Sequence, residues 1–462
     1  MTRLQQFPES SKPIIRDADN FFDTFRIGLV LQRVNAAKTQ GFSGRQVLLA
    51  LLMVVFTRLS LSEALSDASN SFGFGKDVVY RFLNSPKTNW ENLLFNVSRH
   101  VIDFAKSLTD GSRIKALIVD DTAYYRDRSS KVELLSRCYD HAQDRFYKGF
   151  NMLTIGWSDG VSFLPLQGKL LCASSEKNLL CASDCPVDRR TLATKRREEA
   201  SLGKPQIVLS MLKRLSQDEQ IATHVLFDSW FSFPDMIMSI KETGYDVVCR
   251  MKNTAKQKFL FKGENRTLSQ IYKACKKRRG RSHYLLSVSV ALFHEEHKQN
   301  ISAKCVYVRN RNRPKDWIAI LSTDTSLSEE EIIQLYGRRW EIETFFKTCK
   351  SYLRLTSDYQ GRSYDGITAH ATIVLLRYIF LVYEQRRSED KRTLGQLFAA
   401  TSAELPQITY STALNYCLQE MINVVSEFYG LNETIIDGLV EHFKRRLPLP
   451  YQQMLVFQGC ET

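Results

Sequence analysis

Tyr336-Gly-Arg-Arg-Trp-Glu-Ile-Glu-Thr-Phe-Phe-Lys-Thr-Cys-Lys350 is the stretch from which the fold of this chain can be worked out. It sets Tyr336, Arg339, Glu343 and Lys350 at offsets of 0, 3, 7 and 14 residues. At about 100° per residue, a helix gathers these four within an arc of roughly 60° on one face. Seams with that spacing are normally apolar, because they pack against a core. Here the seam is one carboxylate, two cations and a phenol, while Trp340, Phe345 and Phe346 supply an apolar flank. A half-buried helix whose polar seam faces a cleft is predicted; a solvated face laced with intrahelical ion pairs is the plainer alternative.

Working outward, two segments place acids at strand ends. In Lys115-Ala-Leu-Ile-Val-Asp-Asp-Thr122 a run of β-formers, Ala116 to Val119, ends in Asp120 and Asp121. Paired aspartates at a strand exit are often turn residues. A shift of one residue also reverses which of the two points to a given face. In Ala222-Thr-His-Val-Leu-Phe-Asp-Ser-Trp-Phe231 a hydrophobic strand ends in Asp228, followed by a helix-like segment from about Pro234 to Thr243 and a strand from Tyr245 to Lys252. A strand–helix–strand unit with a carboxylate at the carboxyl end of its first strand is where open α/β sheets place ligands.

The pattern Y-x2-R-x3-E-x6-K is similar to the YREK signature of the bacterial cut-and-paste transposases of the insertion-sequence-4 superfamily. The block Asp228-Ser-Trp-Phe-Ser-Phe-Pro234 resembles one found in the same superfamily, and Trp340 stands where its members often carry Trp. The resemblance implies an α/β fold: an RNase H-like (retroviral integrase-like) catalytic core, interrupted by a β-rich insertion domain, with helical N- and C-terminal regions. It implies that Asp121, Asp228 and Glu343 are the catalytic, metal-binding carboxylates. Members carry Asp-Thr or Asp-Asp-Thr at the first position, which favours the residue before Thr122; Asp120 remains its rival. It also implies a DNA transposase that cleaves transposon ends through hairpin intermediates and joins them to target DNA. The partners would be transposon-end and target duplexes, with a homodimer in the synaptic complex, in the bacterial cytoplasm at the nucleoid.

The chemistry explains why acids are needed. A phosphodiester offers no good leaving group, and attack builds negative charge on the phosphoryl oxygens. Two divalent cations can activate the nucleophile and stabilise the leaving alkoxide. Mg²⁺, with Mn²⁺ as substitute, takes hard oxygen ligands and retains waters, so a few carboxylates suffice. Arg339 can neutralise phosphate oxygens bidentately and Lys350 as a point charge, while Tyr336 can hold a phosphate or a displaced base.

Composition points the same way. The chain has 64 Lys and Arg against 50 Asp and Glu, a net charge of +14, which suits a polyanionic partner. From Arg250 to Arg281, a run that includes Lys252, there are twelve cations and one acid, Glu264. A second cluster joins Arg189 and Arg190 to Lys195, Arg196 and Arg197. Beside a metal site, phosphate contact is the better reading of such runs; a solvated face is the alternative. The ten cysteines include no C-x2-C pair, so a zinc site on Cys181, Cys185, Cys172 and His141 is a minor alternative and a reduced, intracellular protein is predicted. The first residues lack the hydrophobic region of a signal peptide. The apolar runs Val47–Phe56 and Ile373–Tyr383 are too short to span a bilayer and are read as buried helices, the second interrupted by Arg377.

The organisation predicted is a helical DNA-binding domain over residues 1–108, a catalytic core over 109–254 and 326–388, a β-rich insertion over 255–325, and a helical region over 389–462. Within the first, Ser60 is a candidate helix cap and Lys76–Leu83 a candidate recognition helix. Strands are expected at Phe150–Ser158 and Ser162–Cys172, then at Lys258–Phe261, His283–Phe293, Ala303–Val308 and Trp317–Ser322. Trp317 resembles a tryptophan that stacks on an unpaired base near the transposon end. Two other classes remain open: a metal-dependent nuclease that cuts without joining, and a non-catalytic DNA-binding descendant.

Overall fold

The computed structural model describes residues 13–387 apart from short breaks at 39, 58–60, 66–72, 110, 142, 184–187, 218–219, 279–281, 295–298, 311–312, 314–315 and 358, plus isolated positions beyond 387. The predicted helical region 389–462 lies almost wholly outside the described residues, as do the Ser60 cap and Cys185.

The N-terminal part is helical: α1 Pro13–Thr24, α2 Ile27–Arg33, α3 Gly44–Met53, α4 Leu61–Ala64, α5 Lys76–Leu83 and α6 Trp90–Ser107. Helices α1 and α2 are separated at Arg26, which adopts a left-handed conformation with φ of 49°. Helix α3 starts at a capping box, the Ser43 hydroxyl accepting from the Gln46 amide while the Gln46 side chain accepts from the Ser43 amide. The apolar faces pack inward, with Phe21 edge-on to Phe25 and to Phe380 of the last helix described below.

The sheet begins with β1 Ala116–Tyr125, β2 Ser136–Asp140, β3 Arg145–Ser158 and β4 Phe163–Leu171. Helices α7 Leu192–Ala200 and α8 Lys204–Ser216 lead to β5 His224–Phe227, α9 Pro234–Glu242 and β6 Asp246–Met251. There follow β7 Phe259–Phe261, β8 Glu264–Arg266, α10 Leu268–Ala274, β9 Leu286–His294, β10 Gln299–Arg309 and β11 Trp317–Ser322. The described chain closes with α11 Glu329–Gly337, α12 Trp340–Ser351 and α13 Tyr364–Arg387.

The protein is therefore a mixed α/β structure around one mostly antiparallel sheet, ordered β2-β3-β1-β5-β6-β11-β10-β9-β7-β8, with β4 also paired to β3. Only β1–β5 and β5–β6 are parallel. Strand β1 does not end at its acids. Its antiparallel partner β3 is long enough to pair with it as far as Tyr125, so Asp120 and Asp121 sit within the strand opposite Thr154 and Leu153. The strands of segment 255–325 join this same sheet, because β11 pairs antiparallel with β6.

Helix α13 is apolar and long enough to cross a membrane by length and composition, but it is almost entirely buried inside the protein. It packs on β4, α6 and α12, in line with the buried helix read from its sequence. Arg377, 1% exposed, donates to the carbonyls of Leu353 and Leu51, so the charge that interrupts the apolar run ties α13 to two neighbouring segments.

Candidate active site

Strand register brings the carboxylates together. On β1 and β5, Ala116 lies beside His224 and Ile118 beside Leu226; continuing by two residues sets Asp120 beside Asp228. Neighbours in a parallel pair point to the same face, so Asp120 and Asp228 share a side and Asp121 points to the other. Side-chain contacts agree. Arg339 Nη1 lies 3.4 Å from Asp120 Oδ2, and Arg339 Nη2 donates to Glu343 Oε1 at 2.5 Å. One guanidinium thus bridges the first acid to the helix-borne one. Asp228 Oδ1 accepts from the Trp230 amide at 2.7 Å, which fixes the carboxylate at the strand exit.

Asp121, the residue favoured from sequence, is placed elsewhere: its Oδ2 accepts from Lys204 Nζ at 2.7 Å. Lys204 opens α8, where an ammonium meets the positive end of the helix dipole, and Asp121 offsets that repulsion. The parity of β1, set by pairing with β5, is the physical reason for the difference.

The electrostatics single out Asp120. Burial, with the neighbouring charges of Asp121 and Asp228, pushes its carboxyl up to about 7, despite the Asp121 amide and Arg339, which pull the other way. Lys350 Nζ donates to Thr122 Oγ1 at 2.7 Å, so it reaches the same face of β1 two residues beyond Asp120. Burial holds its ammonium below the ordinary value, opposed by Asp140. Burial raises the Tyr336 phenol to about 12, while Arg339 and Arg250 act to lower it.

The predicted polar seam is real but not one uninterrupted helix. It crosses from α11 to α12 through a tight turn, in which Arg338 and Arg339 donate their amides to Leu335 and Tyr336, three residues back. Of the predicted apolar flank, Phe345 and Phe346 are buried but Trp340 is 65% exposed, so it presents its indole to solvent beside Arg339.

Arg250 and Lys252 are exposed, and with Ser229 and Trp317 they line a surface groove of about 210 Å³ next to the Asp228 loop. Trp317 is half-buried, stacked on Tyr272 at 5.1 Å and edge-on to Tyr307 at 4.9 Å. Arg196 and Arg197 do not form the phosphate-binding surface expected of them. Arg196 is buried, paired with Asp365 and donating to the Thr88 carbonyl. Arg197 binds Glu133 and Asp365. Their charges are consumed in tying α7 to α13, which corrects the reading of these two arginines as solvated or DNA-facing; Arg189, Arg190 and Lys195 of the same run are exposed.

The sequence model of a family described as DDE superfamily endonuclease matches residues 30–314, more than half of the chain. The chain belongs to the DDE superfamily of endonucleases. The match takes in both aspartate-bearing strands, β1 and β5, and stops before α12, where Glu343 lies. None of the curated proteins matches the chain.

The DDE family acts on DNA with a divalent metal, and the residue types suit one. Asp120, Asp228 and Glu343 offer only hard carboxylate oxygens, two of them close enough to raise a buried carboxyl. Residues that sequence reasoning had missed here are Lys204, which occupies Asp121, and Thr122, which receives Lys350. Aligning the two strands at their last hydrophobic residues, Val119 and Phe227, each followed directly by an acid, would have found the parity once β1 and β5 were taken as parallel neighbours.

Proposed function

We propose that the protein is a DNA transposase of the insertion-sequence-4 type, which cleaves transposon ends and joins them to target DNA. The observation that carries this is Asp120 in register with Asp228 and bridged by Arg339 to Glu343. The order β4-β3-β1-β5-β6, three antiparallel strands followed by two parallel ones, supports an RNase H-like core. We assign residues 1–108 to DNA-end recognition and 255–325 to an insertion that extends the sheet.

Asp120, Asp228 and Glu343 would hold a pair of Mg²⁺ ions. Bound there, the ions would supply Lewis-acid activation of the attacking hydroxyl and stabilisation of the leaving alkoxide. Arg339, released from its bridge, would turn its fork to the non-bridging phosphate oxygens, and Lys350 would meet the strand further along β1. Arg250 and Lys252 would follow the backbone past Ser229. A single site that severs both strands calls for a hairpin: the freed 3′-hydroxyl attacks the opposite strand, and water reopens the product. The terminal step must then bend and unstack a base, at a cost of a few kcal/mol. Trp340, exposed beside Arg339, offers its indole to that base.

The test is single-turnover incubation of doubly labelled end DNA with full-length protein and Mg²⁺. A hairpin that migrates slowly on denaturing gels, followed by joined product, supports the reading; Trp340→Ala should reduce hairpin yield more than first-strand nicking. Broken ends that never join would support a second reading, cleavage without joining, which the family's description as an endonuclease favours. Intact DNA under all metal conditions would defeat both.

A further inference from the structure

A second cluster of ligand-type side chains lies at the opposite end of the same strands. Register pairs His224, the first residue of β5, with Asp246, the first residue of β6. The antiparallel pair of β6 and β11 sets Ser322 against Val248, and two more residues bring Asp324 level with Asp246. The three residues therefore form one row across three adjacent strands, and one ligand atom from each lies within 4.8 Å of the others. Four residues of β5 separate this row from Asp228, roughly 13 Å at about 3.3 Å per residue.

The row is oriented as a metal site is. His224 Nδ1 is 2.8 Å from the Thr223 hydroxyl, which leaves Nε2 facing Asp324 Oδ2 at 3.3 Å. Ring nitrogens that bind metals are characteristically held from the other nitrogen in this way. Asp324 Oδ1 accepts from the Ser326 amide at 2.9 Å and hydroxyl at 2.6 Å, so that carboxylate too is fixed through the oxygen away from the histidine. Asp246 Oδ1 accepts from the Thr323 hydroxyl at 2.7 Å and from Lys241 Nζ at 2.6 Å. A cationic group is thus already drawn to the row, from the end of a flexible chain that can withdraw.

We propose that His224, Asp246 and Asp324 form a second divalent-metal site, structural rather than catalytic, selective for Zn²⁺ over Mg²⁺. An imidazole nitrogen with two carboxylate oxygens suits a borderline ion that takes nitrogen and oxygen at four positions, the fourth left to water. Mg²⁺ has little affinity for imidazole, so the two metal sites of the chain differ in chemistry. Asp324 lies in the link between β11 and α11, four residues before the Ser328 cap. A bound ion would pin this link to the starts of β5 and β6, and so hold the helix pair that delivers Arg339 and Glu343.

The experiment uses the full chain, stripped with chelator, in an Asp120→Asn/Asp228→Asn/Glu343→Gln background that removes the carboxylate site. Titration with Zn²⁺ alone should show one equivalent bound, unaffected by millimolar Mg²⁺, and should raise the melting temperature. His224→Gln and Asp324→Asn should each weaken binding at least 100-fold and cancel the thermal shift. Lys241→Met should act in the opposite direction and tighten binding several-fold, because it removes the competing ammonium; a merely structural row would not show that gain, and this arm stands even if a ligand variant fails to fold. Absence of stoichiometric Zn²⁺, or Zn²⁺ affinity unchanged by Lys241→Met and His224→Gln alike, overturns the proposal.

Discussion

Asp120→Asn should stop DNA cleavage while Asp121→Asn leaves it nearly intact, although the two residues are adjacent and chemically identical. Asp120 faces Asp228 and contacts Arg339, so its loss removes one of three carboxylates that would hold the ions. Removing one preorganised charge-stabilising group from an active site typically costs 10²–10³ in rate; with Asp120 a metal ligand, the loss should be at least about 10³-fold, or about 4 kcal/mol at 1.36 kcal/mol per factor of ten. Asp121 loses only its contact with Lys204, a pair whose side chains are each 21% exposed. Such partly solvated pairs are worth about 1 kcal/mol or less, so the rate should stay within about fivefold of wild type even if all of that reached the transition state. The assay is single-turnover cleavage of end-labelled DNA with Mg²⁺, alongside gel-shift measurement of end binding, which both variants should retain. An inactive Asp121→Asn with an active Asp120→Asn would refute the register argument. Full activity in both would refute the carboxylate site itself.

Arg196→Ala should destabilise the protein by about 1–3 kcal/mol in chemical denaturation, because Asp365 keeps only Arg197 and the buried Thr88 carbonyl loses its donor, and should leave the salt dependence of DNA binding unchanged. Charge reversal of Arg250 and Lys252 should do the converse, flattening the slope of log K against log salt by about 0.9 per lost phosphate contact at little cost in stability. Burial pushes the Glu133 carboxyl up, but Arg197, the Ser183 hydroxyl and the Tyr364 amide outweigh it and hold the group below its ordinary 4.5. Its stabilising effect is therefore present above that value and lost as pH falls through the lower folded value, so Glu133→Gln should cost on the order of 1–2 kcal/mol at pH 7 and progressively less as pH falls below 4.5, read from urea midpoints. Gly337→Ala meets no atom within 4 Å and should stabilise α11 by up to about 1 kcal/mol; a melting temperature below wild type would show that the turn needs glycine.

The sequence made some of this legible and hid the rest for identifiable reasons. The strand ending at Phe227 and the helix beginning at Pro234 were readable because a hydrophobic run meets Asp228 and then a proline at the first helical position. Helix α5 and strand β11 likewise coincide with the segments read from periodicity. The extent of β1 was not readable, since its last residues are strand only because β3 pairs with them. Arg196 and Arg197 looked like a basic patch because their partners are remote: Glu133 lies 64 residues from Arg197, and Asp365 lies 169 from Arg196. The His224 row has no local signature, its histidine and Asp324 being 100 residues apart.

The junction between α11 and α12 shows how a local irregularity serves the site. Were the chain one continuous α-helix, Tyr336 and Glu343 would stand about 20° apart and compete for the same stretch of the cleft. At the junction the amides of Arg338, Arg339 and Glu341 each bond three residues back, which interrupts the regular α-helical phase between the two ends of the seam. Across this junction Tyr336 lies within the field of Arg250 on β6, while Glu343 meets Arg339 on the side of Asp120. Arg339 sits at the hinge and bears on both, since its charge also acts on the Tyr336 phenol. Arg339 thus links all three residues at the turn, and the turn follows the link from β11 to α11 that contains Asp324.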